Sequence, residues 1–169
     1  EMLRSLVGSE MCIRDSIITV EDAELVGAFL DMVENHKLIV ENSGLLTVAA
    51  LKHLDLKGKK VVSILSGGNM DVITMSSVVQ QGLILRDRIF TVSVLLPDKP
   101  GELSKVAAVV AKEHGNVIKL SHNQFVSINR SAAVELRITM ESFGTEHKQE
   151  IISALEKEGY RPKVVQTNM

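Results

Sequence analysis

The sequence predicts an α/β protein, and three stretches carry that prediction. The first is Val61-Val62-Ser63-Ile64-Leu65-Ser66-Gly67-Gly68-Asn69, a β-branched apolar run that ends at a hydroxyl residue, two glycines and an amide. A helical pattern from Asp71 to Gln81 follows it. Strand, glycine turn and helix together bring backbone and a short polar side chain close to a flat or anionic ligand. A glycine pair by itself also occurs in purely structural turns. The second stretch is residues 88–166, which read in the order β-α-β-β-α-β of the ferredoxin-like split βαβ arrangement. The third lies within it: Ala132, Val134, Leu136, Ile138 and Met140 alternate with Glu135 and Arg137, the period of a half-buried strand.

The remaining elements follow in order. Residues 1–16 show neither helical nor strand period and lack the apolar core of a signal peptide, so a disordered or foreign tail is expected there. Thr19-x-x-Asp22 resembles a capping box, and Leu25, Phe29, Met32 and Val33 then fall at helical spacing over 21–36. Leu38 to Gly44 is an apolar approach to a polar turn. Leu45 to Leu54 predicts a helix with Leu46, Ala49, Ala50 and His53 on one face. With apolar residues on both faces, Val61–Leu65 predicts a strand buried in a parallel sheet. Gly82 suits the C-terminal cap of the 71–81 helix.

In the second half, Ile89–Leu96 predicts a strand with Phe90, Val92, Val94 and Leu96 on one side. Pro97-Asp98-Lys99-Pro100-Gly101 is dense in turn residues. Leu103, Val106, Ala107 and Val110 form the stripe of a helix ending near Gly115. A strand over 117–123, a loop over 124–130, a helix over 145–158 closed by Gly159 and a last strand over 160–165 complete the set. Pro162 argues that this last strand is an edge.

Composition narrows the function classes. The 169 residues are 45% apolar and 24% charged with net charge −2, which leaves no electrostatic footprint for nucleic acid. Aromatic residues make up 3%, so the βαββαβ half lacks the stacking platform of an RNA-binding module of the same strand order. No apolar stretch reaches the ~20 residues of a membrane span. Cys12 is the single cysteine and cannot form an internal disulfide, in keeping with a cytoplasmic location. The five histidines show no ligand spacing, and no metal site is expected.

Leu65-Ser66-Gly67-Gly68-Asn69, preceded by Leu38 to Gly44 and followed by Gly82-Leu83, resembles the end of the catalytic domain of threonine ammonia-lyase (threonine dehydratase). That family belongs to the fold type II pyridoxal-phosphate enzymes, with serine dehydratase and serine racemase as relatives. Leu96-Pro97-Asp98-Lys99-Pro100-Gly101-Glu102-Leu103 and Gly115-Asn116-Val117 resemble the first loop and second strand of an ACT domain. The resemblance covers 17–169. It implies a C-terminal piece of a fold type II catalytic domain over 17–86, joined to a ferredoxin-like ACT regulatory domain over 87–169.

The resemblance also implies site residues. Ser66 stands where the family hydrogen-bonds the cofactor's pyridine nitrogen, Gly67 and Gly68 let the backbone approach the ring, and Asn69 is expected to cap the next helix. Glu41 matches a family carboxylate near the ring; a solvated charge at a helix start is the other reading. Ser43 and Gly44 are expected to shape the turn. Asp98, Pro100, Gly101, Glu102, Leu103 and Asn116 match the region where ACT domains bind effectors, with a purely structural turn as the alternative. Asn116 is expected beside the 98–103 loop. Implied with these are pyridoxal phosphate, threonine as substrate, isoleucine or valine as effector, and a homo-oligomer formed through the ACT domain. A non-enzymatic amino-acid sensor is the competing class.

Departures matter too. The family's Schiff-base lysine lies in a Ser-x-Lys-x-Arg-Gly motif, and none of this chain's lysines has that context. Where the family carries Glu-Gly-Ala-Gly-Ala, this chain has Glu41-Asn42-Ser43-Gly44-Leu45. The 169-residue chain is therefore expected to be inactive alone.

Overall fold

A computed structural model describes residues 17–123 and 134–167, so the tail expected over 1–16, the loop expected over 124–130 and Ala132 of the expected strand lie outside the described residues. The fold is mixed α/β with a four-stranded antiparallel sheet. Two compact units divide it, Glu1–Val79 and Gln80–Met169, and the division falls inside a helix, upstream of the 86/87 junction read from sequence.

The first unit contains α1 (Asp22–Asp31), continued by a π-helical turn over Met32–His36, and α2 (Asn42–Ala49), continued by a 3-10 turn over Ala50–His53. The cap of α1 is not the Thr19–Asp22 pair. Glu21 and Glu24 form the reciprocal box instead, with the Glu21 N–H donating to Glu24 Oε2 at 2.9 Å. Phe29, Leu45 and Ala49 are fully buried and pack with Val26, Met32, Val40 and Val78. The expected inner face of the second helix is corrected: Leu46 is 46% exposed, and Gly44, Leu45 and Ala49 point inward.

The largest correction is Val61–Leu65. It forms no strand, and Val62 and Ile64 are 90% and 73% exposed. An apolar run becomes a strand only where a neighbour supplies the hydrogen-bonded ladder, and none of the described residues pairs with it. α3 (Val72–Leu85) follows. Gly82 is buried inside it rather than capping it.

The end of α3 is instead a Schellman turn built on Asp87 at φ +54°. Arg88 N–H donates to Leu83 O at 2.8 Å and Asp87 N–H to Ile84 O at 3.0 Å. The second unit then runs β1 (Ile89–Leu96), α4 (Glu102–Lys112), β2 (Asn116–Asn123), β3 (Val134–Glu141), α5 (Thr145–Lys157) and β4 (Lys163–Val165). Strand order is β2-β3-β1-β4 and every pairing is antiparallel, the split βαβ arrangement. Phe90, Val92, Val94 and Leu96 from β1 meet Leu136, Ile138 and Met140 from β3 and Val106, Val110, Ile151 and Leu155 from the helices. On the other face of the sheet, Thr91, Ser93, Glu135 and Thr139 are buried but satisfied: Ser93 Oγ donates to Glu135 Oε1 at 2.6 Å, and the Thr91 and Thr139 hydroxyls meet at 2.9 Å.

Asp87 also anchors the start of α5. Lys148 Nζ donates to Oδ1 at 2.7 Å and Thr145 Oγ1 to Oδ2 at 2.8 Å. The Lys148 hydrogen bond, helped by Thr145, holds the Asp87 carboxyl below its ordinary pKa. A carboxylate whose pKa is depressed by folding stabilises the fold above its unfolded pKa of about 3.9, and that stabilisation is lost as pH falls through the folded value. Asp87→Asn keeps a side chain that tolerates the left-handed backbone while removing the charge. It should cost roughly 1–2 kcal/mol at pH 7, with the gap to wild type closing below about pH 4. Urea melts at both pH values check this.

Candidate functional site

The first unit brings Glu41 and the Ser66–Asn69 loop together. The entry to α2 is extended at Glu41 (ψ 160°) and then turns directly into helix. That geometry sets α2 against the 64–69 backbone. Thr47 Oγ1 donates to Ile64 O at 3.0 Å, and Glu41 N–H donates to Gly67 O at 3.3 Å. Ser43 Oγ donates to Glu41 Oε1 at 2.6 Å and Asn69 N–H to Glu41 Oε2 at 3.3 Å.

Two glycines make this approach feasible. A Cβ on Gly44 would lie 1.8 Å from Ser66 O and 2.7 Å from Val40 Cγ1. A Cβ on Gly67 would lie 2.4 Å from Glu41 Cδ, and Gly67 has φ +76°, a conformation side chains disfavour. Ser43 and Gly44, expected to shape a turn ahead of the helix, instead lie inside the first turn of α2. Ser66 is exposed, and its hydroxyl has no hydrogen-bond partner among the described residues.

Asn69 does not cap α3. Asp71 does: Oδ1 accepts from Thr74 N–H at 2.9 Å and Oδ2 from Thr74 Oγ1 at 2.5 Å, and these bonds lower the Asp71 pKa. The signal was the Asp71-x-x-Thr74 spacing, which carries a cap three residues ahead of a matching donor. Asn69 contributes its backbone N–H to Glu41 instead.

In the second unit, Asp98, Pro100 and Gly101 lie between β1 and α4, Gly101 at φ +91° as the residue before the helix, and Glu102 and Leu103 are the first residues of α4 itself. Glu102 pairs with Lys105 at 2.7 Å. Asn116 does not join them. β2 pairs with β3, not with β1, and the register sets Asn116 opposite Glu141, which in turn faces Ile89 at the start of β1. The loop follows Leu96 at the other end of that strand. Seven residue steps at ~3.4 Å place the two ends about 24 Å apart. The expectation that Asn116 lies beside the 98–103 loop is corrected by this register. Asn116 instead donates Nδ2–H to Glu141 Oε2 at 2.7 Å and lines a cavity of about 220 Å³ with Ile89, His114, Ser142 and Phe143. No group of metal-ligating side chains and no membrane-length apolar helix occurs among the described residues.

These features define a class: a two-unit α/β chain with a glycine-permitted hydroxyl loop in one unit and a split βαβ sheet in the other. Relatives narrow it. The chain is 38% identical over 149 residues to an L-threonine ammonia-lyase of Geobacter sulfurreducens, covering 86% of this chain and 37% of that protein. It is 31% identical over 152 residues to the L-threonine ammonia-lyase of Thermotoga maritima, covering 89% and 38%. A biosynthetic L-threonine dehydratase, IlvA of Pasteurella multocida, is 29% identical over 150 residues, covering 86% and 28%. The chain belongs to the threonine ammonia-lyase family. It spans under two-fifths of the length of these relatives. No protein-family model matches it.

Proposed function

We propose that this chain supplies two parts of a pyridoxal-phosphate-dependent threonine ammonia-lyase: the loop that holds the cofactor's ring nitrogen, and an ACT-type unit that senses an amino acid. The observation that carries the first part is the Ser66-Gly67-Gly68 loop, held by Glu41 with a free hydroxyl at its tip. These residues fit the group. A hydroxyl donates one hydrogen bond to a pyridine nitrogen without adding charge, and the two glycines present no side chain to a flat ring. Bound pyridoxal phosphate supplies the electron sink for deprotonation at Cα and loss of the β-hydroxyl. A neutral serine partner would hold the ring nitrogen through one hydrogen bond without placing a charge beside it. In a protein that also carries the family's lysine, Ser66→Ala should lower cofactor affinity or kcat roughly 5- to 150-fold, the equivalent of about 1–3 kcal/mol for a lost buried hydrogen bond. Unchanged cofactor titration and kinetics would reduce Ser66 to a turn residue.

No lysine of this sequence has the family's Schiff-base context. The 169-residue chain, incubated with pyridoxal phosphate and threonine, should form no 2-oxobutanoate above blank.

For the second part, backbone N–H groups at the start of α4 suit an amino-acid carboxylate, and the family points to isoleucine or valine. The separation of Asn116 from the 98–103 loop favours a site shared between two copies. β2 is an edge strand with all eight residues exposed, open to pairing with a second chain. Antiparallel β2–β2 pairing about a two-fold axis would bring one copy's Asn116 to the end of the joined sheet that carries its partner's loop.

A further inference from the structure

We infer that Glu41 is the positioning residue of the Ser66–Asn69 loop and not a group that touches the ligand, an inference that takes its functional meaning from the reading of Ser66 above. Glu41 makes three bonds, two of them to the loop. Its N–H holds Gly67 O, its Oε2 accepts from Asn69 N–H, and its Oε1 accepts from Ser43 Oγ, which keeps the carboxylate turned inward. The carboxyl carbon occupies the space a Gly67 side chain would need, so the loop backbone rests directly on it. On the other side, Ser66 O lies against Gly44 at the first turn of α2. Ser66 is thereby fixed through its carbonyl and through the residue that follows it. Its hydroxyl is the part left to meet a ligand.

Both carboxylate oxygens of Glu41 are engaged within the protein, Oε2 by the Asn69 N–H, which can only donate, and Oε1 by the Ser43 hydroxyl. Glu41 therefore acts on the ligand through the loop.

The test uses the full ¹⁵N-labelled chain. Amide hydrogen exchange and backbone signals of Gly67, Gly68 and Asn69 are compared between the wild type and Glu41→Ala at one pH. Removing the acceptor at Oε2 should speed Asn69 exchange several-fold and move the Gly67 and Gly68 signals, while signals from the βαββαβ unit stay in place. Glu41→Asp, one methylene shorter, should lose the Asn69 protection in the same way and keeps the test decisive if the Ala variant does not fold, whereas Ser43→Ala should leave it in place. An Asn69 amide that exchanges freely in the wild type, or protection that survives Glu41→Ala and Glu41→Asp, overturns the assignment. Ser66→Ala separates this from the cofactor reading: it should leave the Asn69 protection untouched. If it does so while cofactor affinity is also unchanged, the clamp stands and the ring-nitrogen role falls.

Discussion

Gly44→Ala should be among the most damaging single substitutions in the first unit. The added methyl would lie 1.8 Å from Ser66 O and 2.7 Å from Val40 Cγ1, and the nearest obstacle is backbone that cannot rotate away. Either α2 lifts off the 64–69 segment or the loop shifts, and both routes break the Glu41–Gly67 and Thr47–Ile64 contacts. Overpacking of this severity costs about 3 kcal/mol, which for a unit of this size lowers the melting temperature by roughly 12–24 °C. Gly101→Ala is the internal control. Gly101 has φ +91°, but nothing lies within 4 Å of where its methyl would sit, so only the backbone cost of about 1–2 kcal/mol remains. Thermal melts of the two variants should differ clearly, and equal melting temperatures would mean that the α2–loop approach is looser than the geometry describes.

The parts of this fold that were legible in the sequence are those whose pattern is local. β1 and β3 alternate because one face meets the helices, and Phe90, Val92, Leu136 and Ile138 are buried as that alternation requires. Gly159 closes α5 in the left-handed conformation its residue type advertises. Asp87 and His114 do the same work without glycine, at φ +54° and +61°, and nothing in their identity announces it. Val61–Leu65 was unreadable for a different reason. Its residues have strand character, but a strand is a property of a pair, and the pairing partner is not a feature of the segment. The candidate site shows the same split. The Ser66-Gly67-Gly68 loop is visible as a string, whereas the contact between Gly44 and Ser66 O, 22 residues apart, exists only in the folded chain. Asn116 was misplaced because β2 runs parallel to β1, so its first residue lies at the level of Ile89, at the end of the sheet away from the loop that follows Leu96, a direction that only the shared pairing with β3 shows.

That strand arrangement leads to a sharper expectation for amino-acid binding. If the site needs the 98–103 loop of one copy and Asn116 of another, the full chain should bind isoleucine or valine only as a dimer, with two equivalent sites. Gly101→Asp should abolish binding without unfolding the unit, because the new carboxylate repels the ligand's own at the start of α4 while open space accommodates its bulk. Asn116→Ala should abolish it too, by removing the side-chain oxygen left for an ammonium once Nδ2 is committed to Glu141. The decisive sample is a mixture of the two inactive variants. In a mixed dimer the two substitutions fall in the same site, so the other site has both its native loop and its native asparagine. With random exchange, half the dimers are mixed and each regains one site of two, so calorimetry should recover about a quarter of the wild-type capacity. A site contained within one copy would recover none, because every chain in the mixture carries a defect. Failure of the wild-type dimer to bind any proteinogenic amino acid would leave the βαββαβ unit a role in assembly alone.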